Sequence, residues 1–75
     1  MSTPTEAIRE ELMANNPEYR RLREQHTLYA SQLDQLAAKN FLTEEEKLEE
    51  VRLKKLKLRA KDQMELLVRQ AQTIQ

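Results

Sequence analysis

Not one of the 75 residues of this chain is glycine, and proline occurs only twice, at Pro4 and Pro17. Those two residue types are the strongest local punctuation a sequence has. Strand-forming residues are few, whereas Leu, Glu, Lys, Arg, Gln and Ala dominate. That is the composition of long helices or a coiled coil. The chain therefore reads as all-α, interrupted only where particular residues stop one helix and start the next.

The first start signal is Thr3-Pro4-Thr5-Glu6. Thr3 is placed to cap, Pro4 suits the first helical position, and Glu6 can reach back to the cap. A short helix is expected over about 4–13. Asn15-Asn16-Pro17 interrupts it, because proline lacks an N–H and disfavours helical φ and ψ at Asn16. The same triplet restarts the chain, with Asn16 as cap and Pro17 at the first position. A second helix is expected over about 17–39. Along it Tyr19, Leu22, His26, Tyr29, Leu33 and Leu36 follow alternating steps of three and four, an a/d seam. Asn40 is expected to take a left-handed C-terminal position, and Phe41-Leu42 to form a short apolar bend. Thr43-Glu44-Glu45-Glu46 is a second capping box, with three acids where the helix dipole favours negative charge. The third helix is expected over about 44–72.

At about 1.5 Å per residue the third helix spans roughly 45 Å and the second roughly 35 Å. An antiparallel hairpin of the two leaves an overhang, which the short first helix covers if it continues the same arm past the kink at Pro17. Pairing about the bend sets Leu36 near Leu48, Leu33 near Val51, Leu22 near Ala60 and Tyr19 near Met64. Ile8 and Leu12 then approach Leu67, Ala71 and Ile74. On the third helix, Leu53, Leu56, Ala60, Met64, Leu67, Ala71 and Ile74 lie within a roughly 80° arc at 100° per residue. Leu48, Val51, Leu58 and Leu66 lie on another side. One hairpin partner covers one side only, so the surplus predicts self-association, most simply a two-fold dimer forming a four-helix bundle. The alternative is an apolar groove that takes another protein.

Residues 52–62 read RLKKLKLRAKD. On a helix Arg52, Lys55 and Arg59 cluster on one side, and Lys54, Lys57 and Lys61 on another, with Leu53, Leu56 and Ala60 between them. These are two flanks of an apolar seam, as at the e and g positions of a coiled coil. They read as a solvated, partly paired surface, with contact to nucleic acid or an acidic protein as the rival reading. Net charge is zero, but it is divided: residues 1–46 sum to −4 and residues 47–75 to +4. A nucleic-acid binder usually shows an uncompensated basic face, and this helix has no aromatic residue for stacking on single strands.

Chemistry is harder to find. With no cysteine there is no disulfide framework and no thiolate metal site. His26 is the sole histidine. It sits at an a position, where a polar residue fixes register or oligomer state; pH sensing across a dimer interface is the functional rival. Glu44, Glu45 and Glu46 compensate a helix dipole, or else present an acidic tip to a partner or a large assembly. No Gly-rich phosphate loop, Ser-His-Asp set or metal-ligand cluster exists, so neither an enzyme nor a cofactor is expected. No apolar run is long enough to span a membrane, and residues 1–12 lack the regions of a signal peptide, so the expected location is the cytoplasm.

The stretches NPEYRRLREQHTLYASQLDQL and LTEEEKLEEVRLKKLKLRAKDQMELLV together resemble the YdcH-like family, small bacterial proteins classed as a domain of unknown function. His26 matches the family's first-helix histidine, and Lys54, Lys55, Lys57, Leu58, Lys61 and Asp62 match its second-helix run. Ala60 stands in place of the usual Leu, and Gln63 in place of the usual acid. The resemblance covers roughly residues 15–68 and implies a dimeric cytoplasmic helical hairpin with no established activity. The expectation for 1–75 is thus one helical-hairpin domain acting in protein–protein interaction, as an adaptor.

Overall fold

The computed structural model describes residues 4–74, with side chains described as far as residue 72. It contains three helices, α1 (Pro4–Asn15), α2 (Pro17–Ala37) and α3 (Glu44–Ile74), and no strand among the described residues. The expected cap at Thr3 and the side chain of Ile74 lie outside what is described.

Asn16 alone separates α1 from α2. Its extended backbone, φ −114° and ψ 105°, is what the following proline demands, and its Oδ1 accepts from the Tyr19 N–H at 3.0 Å. The proline restricts only the residue before it. Hence α1 runs on to Asn15, two residues past the expected end, and the Asn16 N–H still donates to the Leu12 carbonyl at 2.8 Å.

The end of α2 corrects one expectation. No described non-glycine residue has positive φ, so Asn40 is not a left-handed cap. Instead α2 stops at Ala37. Ala38 stays right-handed at φ −76° and ψ −13°, and the Lys39 N–H closes a tighter turn onto the Leu36 carbonyl at 3.1 Å. An i→i−3 bond uses up a terminal carbonyl without asking any residue to visit positive φ. The second capping box forms as read from the sequence. The Glu46 N–H donates to Thr43 Oγ1 at 3.1 Å, and the Thr43 N–H donates back to Glu46 Oε1 at 3.0 Å.

Helices α2 and α3 run antiparallel. Lys39, beyond the end of α2, pairs with Glu46 in the first turn of α3. Tyr19 at the start of α2 packs in one cluster with Ile8 and Val68, joined by Leu12, Met13, Met64, Leu67 and Ala71. Helix α1 thus lies against the last third of α3, and Gln72 Nε2 donates to Thr5 Oγ1 at 3.4 Å there. The overhang is covered as the helix lengths require.

Three helices meet at that end, and the other end has only two. The buried apolar residues are Ile8, Tyr19, Leu22, Leu53, Ala60 and Val68. His26, Tyr29, Leu33, Leu36, Leu56, Met64 and Leu67 are half-buried along the same interface. Toward the tip the residues of α3 that are partly covered are Glu46, Glu49 and Glu50. The expected pairs Leu36–Leu48 and Leu33–Val51 are therefore corrected. Leu53 and Ala60, seven residues apart, fix the inward face, and Leu48 lies about 140° around the helix from Leu53 at 100° per residue. Leu48, Val51 and Leu58 are exposed and form no part of the hairpin core.

The molecule is a rod of 49 × 22 × 18 Å. Its Cα radius of gyration is 15.4 Å, against about 11 Å for a compact domain of this length. It exposes 6102 Å², whereas a folded monomer of 8.9 kDa exposes about 4,800 Å². An excess near 1,300 Å² follows from that shape.

Candidate functional site

The surfaces of α3 that α1 and α2 leave open divide into an apolar seam and a basic groove. Along the back of α3, Leu48, Val51, Leu58 and Leu66 are exposed at 72, 50, 59 and 53%. Lys55 and Asp62 complete this line, at steps of three and four. The charges on it are opposite, and Val51–Leu66 and Lys55–Asp62 are both symmetric about the Leu58–Arg59 bond. A helix presenting such a line to an antiparallel copy of itself sets Lys55 level with Asp62, and Val51 level with Leu66.

The groove lies along one flank of α3, facing α1 and α2, and encloses about 740 Å³. Its rim carries Arg9 from α1, Arg23 and His26 from α2, and Lys54, Lys57 and Lys61 from α3. Tyr19, Leu33, Leu58, Met64 and Val68 supply an apolar lining, and Glu65 is its one acid. Leu58 borders both surfaces.

The two basic flanks read from the sequence have different fates. Lys54, Lys57 and Lys61 all enter the groove. Lys54 is within 3.7 Å of Glu50, an exposed pair of the kind that contributes a few tenths of a kcal/mol. Among the described residues Arg9, Arg23, Lys57 and Lys61 make no ion pair. On the opposite flank Arg52 grips Glu49 with two hydrogen bonds, Nε at 3.1 Å and a terminal nitrogen at 2.7 Å. Those bonds hold the Glu49 carboxyl below its ordinary value and raise the Arg52 guanidinium above its own. Lys55 and Arg59 stay exposed outside the groove.

Arg9 and Arg23 escaped the sequence reading because they belong to other helices. Only the register of the assembled hairpin brings them beside Lys54, Lys57 and Lys61. Val68 was missed too, although its neighbour Leu67 was placed on the inward arc.

The acidic tip is largely engaged within the chain. Glu46 receives the Lys39 ammonium and the Thr43 N–H, and in that order they hold its carboxyl below the ordinary value. Glu44 lies 3.4 Å from Lys47. Phe41, at 90% exposure, projects from the link instead. No described helix is long and apolar enough to cross a membrane, and no three described His, Cys, Asp or Glu residues are grouped to hold a metal ion. Compared with models of protein families, with curated proteins and with solved structures, the chain matches none.

Proposed function

We propose that this chain is a non-enzymatic interaction protein, of the YdcH-like kind, that self-associates through the back of α3, the two α3 helices packing between the two α2 helices. The observation that carries the reading is the exposed line Leu48, Val51, Leu58 and Leu66. A rod only two helices thick cannot cover it, and a patch of this kind marks an interaction site. The surface excess near 1,300 Å² per chain is more than the roughly 800 Å² that each partner gives to an interface of standard size. Opposite charges at Lys55 and Asp62 favour an antiparallel, isologous pairing, since each then faces its complement in the second copy.

Sedimentation equilibrium at micromolar concentration tests this. The wild-type chain is expected to fit a dimer, and Leu48→Asp with Leu66→Asp a monomer, because each substitution would bury an uncompensated charge. Both sites are exposed in the single hairpin, so the variant keeps its helicity. A fully helical wild-type chain that sediments as a monomer overturns the proposal. The rival reading, contact with nucleic acid, would rest on Lys54, Lys57 and Lys61, the flank that lines the groove.

A further inference from the structure

We propose that the groove flanked by Lys54, Lys57 and Lys61 is a docking site for an acidic amphipathic helix of a partner protein. This goes beyond self-association, because the groove lies on the flank of α3 rather than its back.

Three features of the groove select the occupant. The first is charge. Arg9, Arg23, Lys54, Lys57 and Lys61 line one trough against a single acid, Glu65, in a chain whose net charge is zero. Four of these cations have no ion-pair partner among the described residues. A concave site lined by one sign of charge focuses its field and concentrates ligands of the other sign. The second is apolar surface, since Leu33 and Met64 are half-buried and Leu58 is exposed along the groove. It calls for a ligand with apolar side chains beside its carboxylates. A phosphate backbone has none, and bases that turned inward would need exposed aromatic rings to stack on. Of the two rings in the groove, Tyr19 is buried and His26 half-buried, so no ring stands exposed there.

The third is spacing. Lys54, Lys57 and Lys61 stand at steps of three and four, rising about 4.5 and 6 Å along α3. Carboxylates at i, i+3 and i+7 of a facing helix rise by the same amounts, and a third helix packs beside two others at about 8–10 Å between axes. From Lys54 to Val68 the trough spans fourteen residue steps of α3, roughly 21 Å, which a helix of about fourteen residues fills. Helix-in-groove recognition needs these features together: apolar anchors at helical spacing and charges along the edge.

The test uses the full chain and a fluorescent 14-residue peptide, stapled as a helix, with Leu at positions 1, 4, 8 and 11 and Glu along one edge. A peptide with Lys in place of Glu is the control. By anisotropy the acidic peptide is expected to bind and the basic one not. Lys54→Glu with Lys61→Glu is expected to weaken binding at least tenfold. Arg52→Glu with Arg59→Glu, the same charge change on the opposite flank, is expected to leave it within about twofold. All four side chains are exposed, and circular dichroism checks that both variants remain helical. Equal losses from both flanks mean unspecific attraction and overturn the site. Absence of peptide binding at millimolar concentration overturns it, as does a DNA duplex or single strand that binds where the peptide does not. If Lys54→Glu with Lys61→Glu instead abolishes self-association, a second copy fills the groove and the proposal fails. Failure of the dimer alone, seen by sedimentation, leaves the peptide result standing.

Discussion

Replacing Leu53 by Ala probes the register of the whole hairpin. Leu53 is the most fully buried large side chain among the described residues, at 2% exposure. The change removes the equivalent of about three methylene groups, worth about 2.4 kcal/mol at ~0.8 kcal/mol each. The cavity left behind adds to that, and measured costs of such changes run from about 2 to 5 kcal/mol. At Leu53 the layer is only two helices thick, so neighbours can close part of the gap, and about 3 kcal/mol is expected. A chain of this length has a total stability of about 4–11 kcal/mol, so at least a quarter of it is lost. In urea, with a slope near 1–1.5 kcal/mol/M for so small a protein, the midpoint falls by about 2 M or more. Leu48→Ala is the control, since Leu48 faces away from α2. At high dilution it is expected to change stability by less than about 0.5 kcal/mol, and at higher concentration its cost grows with the assembly it weakens. Equal costs for the two variants at every concentration would refute the assigned rotation of α3.

Other outcomes follow from single contacts. Asn16→Ala removes the side-chain acceptor for the Tyr19 N–H and is expected to cost about 1 kcal/mol in the same urea titration. Glu46 has a carboxyl held below its ordinary value of 4.5 by the Lys39 and Thr43 hydrogen bonds. A depressed folded-state value gives stability that is present above the unfolded value and lost as pH falls through the folded one. The wild-type urea midpoint is therefore expected to drop between pH 7 and pH 3.5 by more than that of Glu46→Gln; equal drops would remove Glu46 from the account. Lys55→Asp is expected to weaken dimerisation about three- to tenfold, and adding Asp62→Lys to restore it, if the copies pair antiparallel. Phe41→Ala is expected to leave the urea midpoint unchanged, because Phe41 is 90% exposed.

The breaks and the inward seam were legible in the sequence because each follows from a local rule. Pro17 and Thr43–Glu46 mark their helix starts through bonds confined to a few residues. The a/d steps from Tyr19 to Leu36 place one face of α2 whatever packs on it. Register across the bend was less legible. Pairing about Phe41 assumed that apolar residues near the tip face each other, yet Glu46, Glu49 and Glu50 are the partly covered positions there. Near the tip, capping and ion pairing with Lys39 satisfy Glu46, so the two-helix end closes with carboxylates where Leu was expected. Val68 was missed for a related reason. Against one helix α3 needs only a narrow stripe, and Leu67 fills it. Where α1 joins α2, the stripe must widen to about 100°, and Leu67 and Val68 straddle it.

The alternation in RLKKLKLRAKD then has a physical cause. A helix with one apolar face could group its charges on the other. Helix α3 carries an inward line through Leu53, Leu56 and Ala60, and nearly opposite it a second line through Val51 and Leu58. Charged residues are left with the angles between. Lys54, Lys57 and Lys61 fall on one flank, and Arg52, Lys55 and Arg59 on the other. Each flank has one paired cation, Arg52 with Glu49 and Lys54 with Glu50. Among the described residues no ion pair answers Lys57 or Lys61, nor Lys55 or Arg59, but α1 and α2 bring Arg9 and Arg23 alongside the first two alone. The asymmetry between the flanks comes from those two arginines, since each flank of α3 itself carries three cations, one of them paired. Placing an acid at position 58 tests the groove's charge and the seam together. Leu58→Glu sets a carboxylate four residues from both Lys54 and Asp62, at the groove border, where it can answer Lys54 and Lys61. The expected outcome is loss of acidic-peptide binding together with dimerisation, because Leu58 is the one side chain the two surfaces share. Loss of one without the other would mean that the seam and the groove do not meet there.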